Sequence, residues 1–140
     1  MRIGSCSFGE KPYLCRNNSS AMDVESVREY CLSLPLATED FPFDEVTLAF
    51  RVLGRIFAMI DLEDTTWFVL KCQPDYAIDL RDRYPEITPA WHMNKRHWNQ
   101  VNLFGALPDE FICHLIRHSY REVVKKLPAK VKREHGEVNM

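Results

Sequence analysis

The feature that most constrains this chain lies near its end, in "LPDEFICHLIRHSYREVVKKLP". Phe111, Ile112, Leu115, Ile116, Tyr120, Val123, Val124 and Leu127 recur every three or four positions there, which predicts a helix from Pro108 to about Leu127 with one apolar face to bury. Asp109 and Glu110 in the first turn and Lys125 and Lys126 in the last match the helix dipole. The stretches "TLAFRV" and "IFAMID", joined through "LGR" with Gly54 available for a tight turn, predict a β-hairpin. "TTWFVLKC" supplies a third strand, with Asp64 and Thr65 in the turn before it, and "WNQVNLF", ending at Gly105, a fourth. The first three, sequential in the chain, suggest an antiparallel meander, and the fourth is expected beside the hairpin.

Two shorter helices are expected. Asp23 is a good N-cap for a helix from Val24 to Leu34, with Val27 and Cys31 on one face and Pro35 as its stop. "PDYAIDLRDRYP" reads as a short helix opened by Pro74 and closed by Pro85 and Pro89. "TEDFPFDE" reads as an acidic loop. Residues 1–21 carry Ser, Asn and Gly without periodic hydrophobicity and read as a flexible appendage. Residues 22–133 form the expected domain, and 134–140 a fraying tail. At 140 residues, 46% of them hydrophobic and 27% charged, the chain fits one folded domain.

The five cysteines are scattered, odd in number and without a C-x-x-C pair, which points to reduced thiols and a cytoplasmic setting. No run is long enough for a signal peptide or a membrane span. Enzymatic readings find little support. His114 and His118 are four apart on the last helix, yet "HLIRH" lacks the glutamate of the H-E-x-x-H zinc motif, so a solvated helix face is expected. No cysteine stands out as activated, no glycine-rich phosphate loop is present, and the carboxylates cluster in turns. Neither a metal, a cofactor nor a catalytic residue is expected.

What remains is "TPAWHMNKRHWNQV", fourteen positions without a carboxylate or a cysteine. Trp91, Met93 and Trp98 are expected to pack against the sheet, leaving His92, Asn94, Lys95, Arg96, His97 and Asn99 as donors suited to phosphates or base edges. Charge is segregated in the same sense. From Met22 to Ala90 there are six Lys/Arg against fourteen Asp/Glu, a net −8, and from Trp91 onward nine against five, a net +4. A basic half on an acidic chain suits a polyanion-binding surface.

Taken in order, "EYCLSLPLATEDFPFDEVTLAFRV", "GRIFAMI", "WFVLKC", "AWHMNKRHWNQV" and "LPDEFICHLIRHSYREVVKKLPAKV" resemble the MmcQ/YjbR family over about Met22 to Arg133. Position 91 is tryptophan where that pattern has tyrosine. The resemblance implies a single α+β domain in a double-wing arrangement, with an antiparallel sheet of about four strands packed against an N-terminal, a short middle and a long C-terminal helix. It also implies DNA binding, and it brings no catalytic residue. The expected phosphate contacts are Lys95 and Arg96, with His92, Asn94, His97 and the hairpin-turn Arg55. The alternative is a protein-interaction or small-ligand module, its groove floored by Trp91 and Trp98 and rimmed by His92, Asn94 and His97.

Overall fold

The computed structural model describes residues 23–90 and 93–136; the expected appendage, the end of the tail, Trp91 and His92 lie outside that range. Helix α1 (Val24–Ser33) starts where the Asp23 carboxylate accepts the Ser26 N–H at 2.9 Å and stops ahead of Pro35. Helix α2 (Pro74–Arg83) has proline in its first turn and is capped by Gln73, whose side chain accepts the Tyr76 N–H at 2.8 Å. Helix α3 spans Asp109–Lys125. The basic stretch after Pro128 forms a further short helix, α4 (Ala129–Glu134), which was not among the expected helices.

Strands β1 (Ala37–Asp40), β2 (Thr47–Val52), β3 (Arg55–Asp61), β4 (Asp64–Lys71), β5 (Ile87–Pro89) and β6 (Trp98–Asn102) make one sheet in the order β1-β2-β3-β4-β6-β5. Every neighbouring pair is antiparallel. The α+β fold is as expected, but the expected four strands become six among the described residues. The two additions are the sheet's edges. β1 lies in the acidic "ATED", where Glu39 meets Arg28 of α1 at 2.8 Å and Asp40 meets Arg51 of β2 at 3.0 Å. β5 has three residues and ends on Pro89, a residue tolerated only where a ladder bond is not needed. Short, charged or proline-bearing edges keep a sheet from pairing with another one, and the same composition hides them from a search for apolar alternation. β4 also starts earlier than expected, so Asp64 and Thr65 belong to the strand and Leu62 and Glu63 make its turn.

Register sorts the sheet into two faces. Leu48, Phe50, Ala58, Ile60, Phe68, Leu70 and Val101 line one face. They form the core with Val27 and Cys31 of α1, Ala77 and Leu80 of α2, and the predicted stripe of α3. Ala49, Met59, Val69 and Gln100 pair in a row across the opposite face. Helix α3 is keyed into the sheet at one atom. A bulge leaves Phe57 unpaired with β2, and the buried Ser119 hydroxyl donates to the Phe57 carbonyl while accepting the Lys71 N–H at 2.9 Å, bridging β3 to β4 where their own ladder stops. Above it, Tyr120 donates its hydroxyl proton to the Pro35 carbonyl.

Candidate nucleic-acid interface

The antiparallel order brings the start of β3, the end of β4 and the start of β6 to one end of the sheet. Two hairpin tips therefore flank the C-terminal end of β4. One is the β2–β3 turn, where Leu53 (φ +51) and Gly54 (φ +86) both adopt the left-handed conformation of a two-residue hairpin, with exposed Arg55 next to them. The other is the β5–β6 connection, which carries Lys95, Arg96 and His97.

Asn94 builds that second tip. Its side-chain carbonyl accepts the Arg96 N–H at 3.0 Å, and its backbone carbonyl accepts the N–H groups of His97 (3.1 Å) and Trp98 (3.0 Å). This is the local turn that asparagine forms most readily. Arg81 of α2 braces the tip from behind, donating to the Lys95 carbonyl and, at 2.7 Å, to the side chain of buried Asn99. The Cys72 N–H reaches the His97 carbonyl at 2.7 Å and ties β4 to the same loop. Lys95 and Arg96 are exposed on this fixed backbone, and His97 is half-buried.

Between the tips stands Lys71, which the sequence reading did not single out. It pairs directly across from Trp98, and its ammonium lies 5.9 Å from the Trp98 ring centre. Burial pushes its pKa down, and repulsion from Lys126 and Arg55 adds to that against the pull of Glu122. Lys126 lies at the C-terminus of α3 and is exposed. The structure thus brings Lys71 into electrostatic reach of both Arg55 and Lys126, with the Asn94–His97 tip adjoining through Trp98. Trp98 is half-buried, less enclosed than expected. His92 and Trp91 lie outside the described residues, Asn94 serves the turn rather than projecting as a bare donor, and Asn99, expected among the donors, is buried with its side chain bound to Arg81 and the Ala77 carbonyl. Lys71 was legible only as the last residue of an apolar strand; its register against Trp98 needed the sheet.

The histidines of α3 are more engaged than a solvated face. His114 is exposed, but its Nε2 lies 3.2 Å from the Tyr76 hydroxyl. His118 is half-buried, accepts the Gln73 N–H on Nε2 at 3.2 Å and packs its ring edge-on to Tyr76. Among the described residues no group of three or more His, Cys, Asp or Glu is arranged to hold a metal ion. Burial pushes the Cys72 and Cys113 thiols up to about 12 and Cys31 well above its ordinary value, so none of the three is a thiolate at neutral pH. No helix among the described residues is long and apolar enough to cross a membrane.

Comparison with known proteins follows the same lines. The family model described as YjbR matches residues 32–122. The Escherichia coli K12 protein named "Uncharacterized protein YjbR" is 33% identical over 108 residues, covering 76% of this chain and 92% of its own. The "Uncharacterized protein YbdF" of Escherichia coli O157:H7 is 30% identical over 104 residues, covering 74% and 85%. Among solved structures, Deinococcus radiodurans protein DR2400, described with domain DUF419, superposes with a TM-score of 0.76 at 37% identity over 81% of this chain and 88% of its own. A Pseudomonas syringae protein superposes with a TM-score of 0.61 at 28% identity, over 72% and 98%.

Proposed function

This chain belongs to the YjbR family, and from the surface its fold builds we propose that it is a nucleic-acid-binding protein that contacts backbone phosphates. The observation that carries the reading is the placement of Lys71, a partly buried cation paired across the sheet from Trp98 with its ammonium 5.9 Å from that ring, and repelled by Lys126 and Arg55 against the pull of Glu122. Like charges held together in this way cost free energy in the free protein, and a polyanion laid across them removes that cost. The contacts assigned are Lys95 and Arg96 at one tip, Arg55 at the other, Lys71 and Lys126 between them, with His97 beside the loop. His92 and Asn94 extend this set to the whole "HMNKRHW" stretch. The two hairpins on either side of β4 serve as the wings of a double-wing arrangement.

Part of the acidic half of the chain stands clear of this surface. The loop with Asp44 and Glu45 and the β3–β4 turn with Asp61, Glu63 and Asp64 lie at the opposite end of the sheet. A molecule with a net charge of −2 can therefore present a positive end to DNA. Binding rather than catalysis is the role assigned, and the free thiols Cys31, Cys72 and Cys113 suit the reducing cytoplasm where nucleic acid lies. Fluorescence anisotropy with single-stranded and duplex DNA is the test. Affinity should fall steeply with salt as counterions are released, and Lys95→Ala with Arg96→Ala should flatten that slope by roughly two contacts. Absence of binding at roughly tens of micromolar protein in low salt would remove the reading.

A further inference from the structure

The corner where α3 meets α4 carries more positive charge than its folding requires. From Arg121 to Glu134 six Lys/Arg stand against two Glu, and one of these, Glu122, is buried and paired with Lys125 at 2.8 Å. Helix α4 is fixed there by Val131, which packs against the core, and by Lys132, whose ammonium donates to the Lys125 carbonyl at 3.4 Å. Lys126, Lys130 and Arg133 are exposed, and among the described residues none of the three makes an ion pair. Arg28, Arg51 and Arg83 elsewhere each meet a carboxylate at 3.0 Å or less. Lys130 stands in the first turn of α4, which holds no acid and where the helix dipole disfavours a cation. This charge costs free energy in the free protein, and a polyanion laid on the corner would remove that cost.

Lys126 lies in electrostatic reach of Lys71, so the corner adjoins the end of the sheet that carries the two hairpin tips. The tips belong to the sheet layer and α4 to the helix layer. A helix with its side chains is about 10 Å across, so the two sets of cations stand on the order of 10 Å apart. The major groove of B-DNA, about 12 Å wide, separates the phosphates of its two strands by a similar span. We infer that α4 is a third contact element of this surface and that the partner is a DNA duplex, one backbone lying on the hairpin tips and the other on the α3–α4 corner. The inference rests on the phosphate-binding reading above and adds to it the form of the partner and the contacts Lys130 and Arg133. A single strand offers one row of phosphates and is held largely by stacking its bases on aromatic rings. The exposed rings of Phe41, Phe43 and Phe104 lie past the opposite end of the sheet, while Trp98 at this end is half-buried with Lys71 against its ring. The backbones of a duplex are met by charge, which is what this end supplies.

The test is fluorescence anisotropy of the full chain with a DNA duplex and with each of its separated strands, over a range of salt concentrations. Wild type should bind the duplex roughly tenfold more tightly than either strand. Lys130→Ala with Arg133→Ala should lower duplex affinity roughly tenfold at moderate salt and make the slope of log affinity against log salt shallower by about 1.8, the value of two phosphate contacts. Its affinity for a single strand should change by less than about twofold. Both side chains are exposed, so the melting temperature should not move, and Lys130→Arg with Arg133→Lys, which keeps both charges, should bind as wild type does. Wild-type duplex affinity and slope in the alanine variant would remove α4 from the surface and leave the hairpin tips standing. Equal losses on duplex and single strand, or equal wild-type affinity for the two, would overturn the two-backbone arrangement. Absence of wild-type binding to duplex and strands alike, at roughly tens of micromolar protein in low salt, would overturn this inference together with the reading it rests on.

Discussion

At the scale of single residues, Ser119 and Trp98 show how far a residue's identity can mislead about its weight. Ser119 is a small polar residue in the middle of an apolar stripe, and its sequence position gives no reason for it. In the fold its hydroxyl is fully buried and satisfies the Lys71 N–H and the Phe57 carbonyl together. Ser119→Ala should therefore cost about 2–3 kcal/mol in urea denaturation, since it orphans two buried backbone groups; a cost below about 0.5 kcal/mol would show that the two strands close without it. Trp98 runs the other way. It is half-buried against Lys71, so Trp98→Ala should cost about 1–2 kcal/mol, less than the roughly 3–5 kcal/mol of a fully buried ring. Calorimetric melting of the two variants side by side measures both.

At the scale of elements, the decisive link is the one that α2 makes to the β5–β6 tip. Arg81 reaches Asn99 on β6 and the Lys95 carbonyl through separate guanidinium nitrogens, and the Asn99 amide returns to the Ala77 carbonyl at 3.4 Å. Arg81→Ala should destabilise the fold by about 1.5–3 kcal/mol and weaken DNA binding, because the tip that carries Lys95 and Arg96 loses its brace. Arg81→Lys should recover little of either, since an ammonium cannot span both acceptors in the guanidinium's fixed fork. Restored affinity in Arg81→Lys, measured by the same anisotropy titration, would mean that Arg81 acts as charge alone. Helices α1 to α3, the β2–β3 hairpin and the strand before α2 were legible because their periodicity follows burial. β1 and β5 were not, because an edge strand contributes backbone pairing and little core, so Glu39, Asp40 and Pro89 read as loop.

At the scale of the molecule, stability should depend on pH through His118. Its pKa is lowered chiefly by burial, with His114, Lys125 and Arg121 adding to the shift and Glu122 opposing it. The folded protein therefore holds a neutral ring where the unfolded chain would take up a proton. The stability tied to that ring is complete above the ordinary histidine value of 6.5 and is lost as pH falls through it toward the lower folded value. The melting temperature should drop between about pH 7 and pH 5, and His118→Gln, which keeps an acceptor for the Gln73 N–H, should drop less. An equal drop in both would assign the dependence to other groups.

The sequence by itself determined helices α1 to α3, the central hairpin, the class of fold and the family, because each depends on local periodicity and turn chemistry that neighbouring residues carry. It also marked Lys95, Arg96 and Arg55 as cations worth watching. Only the tertiary structure decided that Arg55 and Lys71 stand at one end of the sheet with Lys126, that Asn94 holds a turn, and that Thr88 pairs with Gln100 across the β5–β6 ladder. These relations join residues far apart in the chain, and strand order and register fix them. Both follow from how a whole core closes, and no single segment contains that information.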